Sequence, residues 1–451
     1  MCIVISVFVL ITSFSPQDAL AQAKRTFIRD AEAEATIRSF ADPIFRAAGM
    51  NPGDISIRFV KDKALNAFVA GGRNIFLNTG LITTSSGPDA LIGVIAHETG
   101  HIEGGHLTRT RAAMEDASTI QMIGTVLGAI AAAGTRDPRA AQALIMGSSA
   151  ASRRKFMKYS RTQESSADQA AMRLLDATGR SAKGLADFLG TLENQSVLSP
   201  RLQDPYVQTH PMSHTRIATL QDFIQKSPNS DKVSPLHERL LFDRMVAKLF
   251  GYLEPLSKVL KRYPESDQSF AARYGRAIAH YRNAELDLAL KLVAELMQES
   301  PNDPYLNELK GQMLFEHGRS SQALVAYQKA YQILPQEKLI LIELARVELE
   351  MNDPKLLSSA IEHFRKAIRL GLNSSFSWRQ LGIAYGRRGD MGLSSLALAE
   401  AELYMGQFPN AEYLAKRALK TLDKGTSSYL QAEDILLSIK ALRESKAAAA
   451  K

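Results

Sequence analysis

Ala289 and Ala323 stand 34 residues apart, and so do Pro301 and Pro335. That repeat constrains the fold more than any other feature of the chain. "SQALVAYQKAYQILP" carries Ala323, Tyr327, Ala330 and Pro335, and "SSAIEHFRKAIRLG" repeats the small–aromatic–small spacing at Ala360, Phe364 and Ala367. "WRQLGIAYGRRGD" adds Trp378, Leu381, Gly382, Tyr385 and Gly389. Small residues at these positions let paired helices approach, aromatic rings fill the space between them, and proline stops the second helix of a pair. One such pair cannot bury its own apolar face, so several must stack.

The positions are those of tetratricopeptide repeats. About four are expected from roughly 268 to 405, with less regular helices to 441 as a cap and a disordered tail at 442–451. Ahead of the repeats, "IQKSPNSDKVSP" (224–235) is polar and rich in Ser and Pro, which marks a domain edge. The expected division is a block at 24–230, a linker or connecting helix at 231–267 and the repeat domain at 268–441.

Residues 1–23 form a segment of their own. "MCIVISVFVLITSF" is apolar and is followed by small-x-small sites at Ala19-Leu20-Ala21 and Ala21-Gln22-Ala23, the pattern of a secretory signal peptide. The n-region lacks Lys and Arg, so an uncleaved anchor stays open as an alternative. The only cysteine, Cys2, would leave with the signal. The exported chain would then have neither thiol catalysis nor Cys-ligated metal. The net charge of +8 is spread thinly. It suits an anionic lipid surface and offers no dense basic run for nucleic acid.

Within the first block, "AEATIRSFADPIFRAAGM" reads as a helix, "DISIRFVKD" as a strand, and Asn66–Ala70 with Asn74–Asn78 as two strands joined across Gly71-Gly72. The strand Asn74–Asn78 is equally suited to an exposed edge that pairs with an extended peptide and to the sheet interior. Residues 118–152 are apolar and interrupted by "TRDPR". They read as a buried helical hairpin or as an element in peripheral contact with a membrane.

"PDALIGVIAHETGHIEGGH" is a helix bearing His97-Glu98-x-x-His101. Two imidazoles one turn apart can hold a single Zn²⁺, with Glu98 beside the position of an activated water. In a chain with nine histidines the motif arises by chance on the order of 1% of the time, which favours function over accident. His106 falls on a different helical face and reads as a surface histidine. The third ligand must come from elsewhere. "RTQESSADQAAMRLL" offers Glu164 as a ligand and Asp168, one turn on, to accept from the far nitrogen of a ligating histidine. The pair is read here as opening a helix.

These motifs, with "NAFVAGGRNIFLNTGL" before the helix and "THPMSHTRI" after it, resemble the HtpX-like zinc metalloproteases, a gluzincin-type group. The likeness runs over essentially the whole exported chain. It points to the soluble branch with C-terminal tetratricopeptide repeats, since the long spanning helices of the membrane members are absent. It implies a mainly α protein, with an α+β zincin-like metalloprotease domain carrying a small sheet, followed by an α-solenoid. It also implies a periplasmic endopeptidase with one Zn²⁺ per chain. Its substrates would be unfolded or misassembled outer-membrane proteins, and its repeats would contact the β-barrel assembly machinery. Glu98 would act as general base and acid. The family's H-P-x-x-x-x-R falls on His210, Pro211 and Arg216. A His or Arg there serves either as oxyanion partner or, for His210, as a ligand that fills the water position. The competing class is a tetratricopeptide chaperone or scaffold with a closed or inactive zinc centre.

Overall fold

A computed structural model of the chain describes residues 26–110, 118, 122, 138–193 and 205–449. The signal at 1–23 and most of the apolar stretch 118–137 lie outside the described residues.

Helix α1 (Ala31–Ala47) starts at Asp30, whose carboxylate accepts from the Ala33 N–H at 2.8 Å. Its buried stripe of Ile37, Phe40, Ile44 and Phe45 covers one face of a small sheet core. That sheet holds β1 (Phe27–Ile28), β2 (Ser56–Val60), β3 (Ala67–Ala70) and β4 (Asn74–Asn78) in the order β1-β2-β4-β3. β3 and β4 form the expected antiparallel hairpin. Gly71 and Gly72 turn it at φ +59° and +92°, a backbone that side chains rarely adopt. β4 also pairs in parallel with β2, so Asn74–Asn78 is sheet interior and the end strand is β3. The edge reading of Asn74–Asn78 is therefore corrected: parallel pairing to β2 occupies its other side.

Among the described residues α2 (Thr79–Thr84), α3 (Pro88–Glu103) and α4 (Pro138–Ala177) come later in the chain. α3 is buried without interruption from Ala90 to Gly100. A helix buried on all sides in this way is found in a core. Asp89 in its first turn also accepts from Ser234 Oγ at 2.7 Å, which ties the domain edge to the helix start. α4 runs 40 residues without a break. Glu164 and Asp168 thus lie well inside a helix, and the helix start expected near them is absent because residues 138–163 already propagate it. α5 (Lys183–Glu193), α6 (Pro205–Thr209) and α7 (His214–Lys226) complete the layer around α3.

α8 (Leu236–Leu253) occupies the stretch expected to be a connector. Phe242, Met245, Val246 and Leu249 insert into the core shared by α1 and α3. On its other side Arg244 pairs with Glu32 and Asp303, while Lys248 lies 2.8 Å from Asp30 and 3.2 Å from Glu32. Tyr274 donates to Glu32 at 2.7 Å. One buried ionic cluster thereby joins α1, α8 and the first repeats.

Beyond it stand four helix pairs: Phe270–Arg282 with Leu286–Glu299, Pro304–Glu316 with Ser320–Ile333, Lys338–Glu350 with Pro354–Arg369, and Ser375–Arg388 with Met391–Tyr404. Ala289, Ala323 and Ala360 are fully buried where paired helices meet, and Tyr327 and Phe364 fill the interior. Phe408–Leu419 and Ser427–Ala449 close the stack. The last helix carries residues 442–449, so the disordered tail expected there is replaced by helix that pairs Arg443 with Glu412 at 2.6 Å. The architecture is mainly α: a small sheet with helices, then an α-solenoid.

Candidate metal centre

α3 presents His97 and His101 toward α4, and the two helices meet closely at Gly100. A Cβ on Gly100 would lie 2.8 Å from the Ala167 carbonyl oxygen and 3.0 Å from Ala167 Cα. That missing methyl lets α4 bring Glu164 to the two imidazoles. Gly100→Ala is expected to cost about 1–3 kcal/mol and to weaken metal binding, because backbone must shift. Denaturant unfolding of the metal-free and metal-loaded protein checks this: a larger loss in the loaded form is the expected result.

Four side chains converge. His97 Nε2 lies 3.1 Å from His101 Nε2, 3.3 Å from Glu164 Oε2 and 3.4 Å from His210 Nδ1. His101 Nε2 is 3.3 Å from Glu164 Oε1, and His210 Nδ1 is 3.2 Å from Glu164 Oε2. All four donor atoms fall within 4.8 Å of one another. Donors held at about 2.0–2.1 Å around a tetrahedral zinc stand roughly 3.3–3.4 Å apart, so the set fits such an ion. The chemistry of the donors, three imidazoles and one carboxylate, suits zinc as well.

Glu98 is fully buried, and neither of its carboxylate oxygens has a hydrogen-bond partner among the described residues. Its Oε1 lies 3.4 Å from His210 Nε2 without making that bond. A buried, unpaired carboxylate is costly, so its presence beside a donor cluster points to a group that completes the site.

The donor side chains are themselves held. Asp168 Oδ1 lies 2.9 Å from His97 Nδ1. Arg216 on α7 clamps the same carboxylate with Nε at 2.6 Å and Nη2 at 2.9 Å, and its Nη1 lies 3.0 Å from Glu164 Oε2. Arg216 is buried, and its remaining reach goes to the Pro211 carbonyl at 3.1 Å. The oxyanion role expected for Arg216 is thus corrected: two carboxylates occupy its guanidinium, and it acts on the site through them.

Electrostatics follow from this packing. Burial alone would lower His97, yet Asp168 and Glu164 outweigh it and push its imidazole up to about 9. Burial lowers His101 despite Glu164 beside it. Burial would raise Glu164 and Asp168. The histidines hold Glu164 well below the usual carboxylate range, and Arg216 with His97 holds Asp168 at about 2. Both carboxylates are therefore ionised and ready to bind or orient a cation.

His210 ends the short turn of α6, its N–H donating to the Tyr206 carbonyl at 2.7 Å. Its Nε2 reaches the Ala67 carbonyl of β3 at 3.3 Å. An Nε2–H spent on that carbonyl leaves Nδ1 as the lone-pair nitrogen facing the other donors. Tyr206 stacks on the His210 ring at 4.4 Å, a contact that sequence reasoning missed because aromatic-to-His stacking leaves no spacing signature. His214 is exposed at the start of α7 and is not in the donor cluster.

The helical wheel places His106 on the surface, and the structure corrects that. α3 ends at Glu103, and Gly105 at φ +61° turns the chain back. His106 is 4% exposed, and its Nδ1 lies 2.9 Å from His101 Nδ1. The wheel no longer applied once the helix had stopped. The doublet Gly104-Gly105 was the available signal.

A profile of known families matches residues 29–224 as Peptidase family M48. Residues 29–224 are a peptidase family M48 domain. The chain is a metalloprotease by that domain. It is 22% identical over 382 residues to the beta-barrel assembly-enhancing protease of Escherichia coli (strain K12), covering 79% of this chain and 76% of that protein. The same-named protease of Yersinia pestis is 23% identical over 363 residues, covering 78% and 72%. Among solved structures, a thermophilic TPR protein of Thermus thermophilus matches 36% of this chain and 95% of its own at 20% identity, with a TM-score of 0.23. Among the described residues no helix is long and apolar enough to cross a membrane.

Proposed function

We propose that this metalloprotease is a periplasmic zinc endopeptidase working in outer-membrane protein assembly and quality control. The observation that carries the reading is the meeting of His97, His101 and Glu164 beside the unpaired, buried carboxylate of Glu98. The names of its relatives support the setting, and the helical repeats offer a surface for clients or for the β-barrel assembly machinery. The expected signal at 1–23 supports export.

His97, His101 and Glu164 would hold one zinc ion. When bound, zinc lowers the pKa of a water and polarises the scissile carbonyl. Glu98 takes the water's proton and hands it to the leaving amine; neither of its carboxylate oxygens has a hydrogen-bond partner among the described residues. Asp168, whose Oδ1 lies 2.9 Å from Nδ1, would keep the His97 ring in one tautomer, and Arg216 keeps Asp168 in place. β3, the end strand of the sheet, is suited to pair with an extended substrate beside this centre, with Ala67 already in reach of His210.

His210 supports a second statement, that the centre is capped at rest. Its Nδ1 takes the fourth corner of the donor set. His210→Ala is expected to raise cleavage of an unfolded outer-membrane protein while zinc content stays at one per chain. Lost cleavage with zinc retained would give His210 the oxyanion role instead. The scaffold reading makes a different forecast: client assembly would survive Glu98→Gln and fail when residues 268–441 are deleted.

A further inference from the structure

We propose that His106 is a positioning residue for His101, accepting that ring's Nδ1–H so that its Nε2 stays turned to the donor cluster. The proposal rests on the zinc-centre reading above.

The two α3 ligands need the same service and receive it from different chemistry. A ligating imidazole that offers Nε2 must carry its proton on Nδ1, and an acceptor at Nδ1 fixes both tautomer and ring angle. For His97 the group facing Nδ1 is the Asp168 carboxylate at 2.9 Å. For His101 the atom in that place is His106 Nδ1, also at 2.9 Å. The rings meet edge to face, with centroids 4.9 Å apart and planes at 80°, so the contact aims nitrogen at nitrogen and does not stack the faces. His106 is nearly buried, at 4% exposure, which removes water as a competing partner.

The backbone is shaped to deliver this ring. Gly105 makes the left-handed turn that stops α3, and Gly104 leaves the space into which the imidazole folds back. A Cβ on Gly104 would lie 2.3 Å from His106 Nε2 and 2.7 Å from its Cδ2. The His106 carbonyl then accepts from Gln163 Nε2 at 3.1 Å, and Thr110 donates to Gln163 Oε1 at 3.0 Å. Gln163 directly precedes the ligand Glu164. The same short segment therefore orients one ligand and is anchored to the helix that bears another. A neutral imidazole brings no charge of its own. The centre already holds the carboxylates of Glu98 and Glu164 beside the Asp168–Arg216 pair, so a second orienting carboxylate would have added a further negative charge in a buried place.

The test measures zinc affinity on the full chain by competition with a fluorescent chelator, beside thermal unfolding of the metal-free protein. His106→Ala is expected to weaken zinc binding about 10–100-fold. His106→Asn, which keeps a side-chain oxygen acceptor, recovers most of that loss. Gly104→Ala leaves His106 in the sequence but displaces its ring. Gly104 sits at φ −71°, which alanine adopts freely, so the weakening should match His106→Ala without backbone strain. The unfolding midpoints of the metal-free forms should agree. Wild-type affinity in His106→Ala overturns the proposal. So does equal loss in His106→Asn together with lowered metal-free stability, which would mark a packing role. A wild-type chain that binds no zinc removes the metal-centre reading itself, and the chelator titration distinguishes that outcome from the others.

Discussion

Glu98→Gln should lower kcat for peptide cleavage by about 10²–10⁴-fold while zinc binding is unchanged. Glutamine has the shape of glutamate but cannot take a proton from water at neutral pH. Glu98 is not among the four converging donors, so the substitution leaves the ligand set intact. Its carboxylate is fully buried and has no hydrogen-bond partner among the described residues. Exchanging that charge for a neutral amide should therefore leave metal-free stability equal or higher, since an isolated buried charge is costly. The combination is distinctive: activity lost, metal retained, fold not weakened. It is read by cleavage of an unfolded outer-membrane protein, zinc analysis and denaturant unfolding of the same preparation. Full cleavage by the variant would sink the protease mechanism.

Arg216→Ala should cost about 3–5 kcal/mol of stability, the usual result of stripping one partner from a buried ion pair. The guanidinium makes two bonds to Asp168 and lies 3.0 Å from Glu164 Oε2, and all three side chains are buried. Its removal strands two carboxylates at once. The pH dependence has a definite sign. Asp168 titrates at about 2 in the folded chain, against burial, because Arg216 and His97 hold its charge. Unfolded aspartate titrates at about 3.9. The stabilisation is thus fully present above about pH 4 and is lost as pH falls toward 2. In the variant burial acts with less opposition, the Asp168 carboxyl rises, and the acid limb of the stability curve moves to higher pH. Urea titrations across the acid range measure both effects. A loss below about 1 kcal/mol with an unshifted acid limb would show that Arg216 does not hold this cluster.

Much of the centre was legible because its spacing is helical. His97 and His101, and likewise Glu164 and Asp168, are one turn apart, and a helix puts such pairs on one face wherever it lies. The repeats were legible for a related reason: the 34-residue offset records contacts between neighbours in sequence. The misjudged residues had non-local causes. His106 depended on where α3 stops, Arg216 on which carboxylates α7 would meet, and Asn74–Asn78 on a parallel partner 18 residues upstream in the register Ser56 to Asn74. The stretch 442–449 continues a helix whose earlier turns are packed at Ala432, Ile435 and Ile439, and it follows from them and not from packing of its own, since residues 442–445 are exposed.

The sequence by itself determined the types of group at the centre, the helix that carries His97 and His101, and the stacked helical pairs, because each is set by short-range periodicity. Tertiary structure alone decided how they combine. It brought Glu164 and His210 to the α3 histidines across more than 60 residues of chain. It turned Arg216 from the open side of the site to its support, and it made α8 a buried ionic wedge between the sheet domain and the repeats. These outcomes depend on which desolvated charges and which close backbone approaches, such as that at Gly100, can be satisfied together. No local pattern encodes that balance, because the partners become neighbours only in the folded chain.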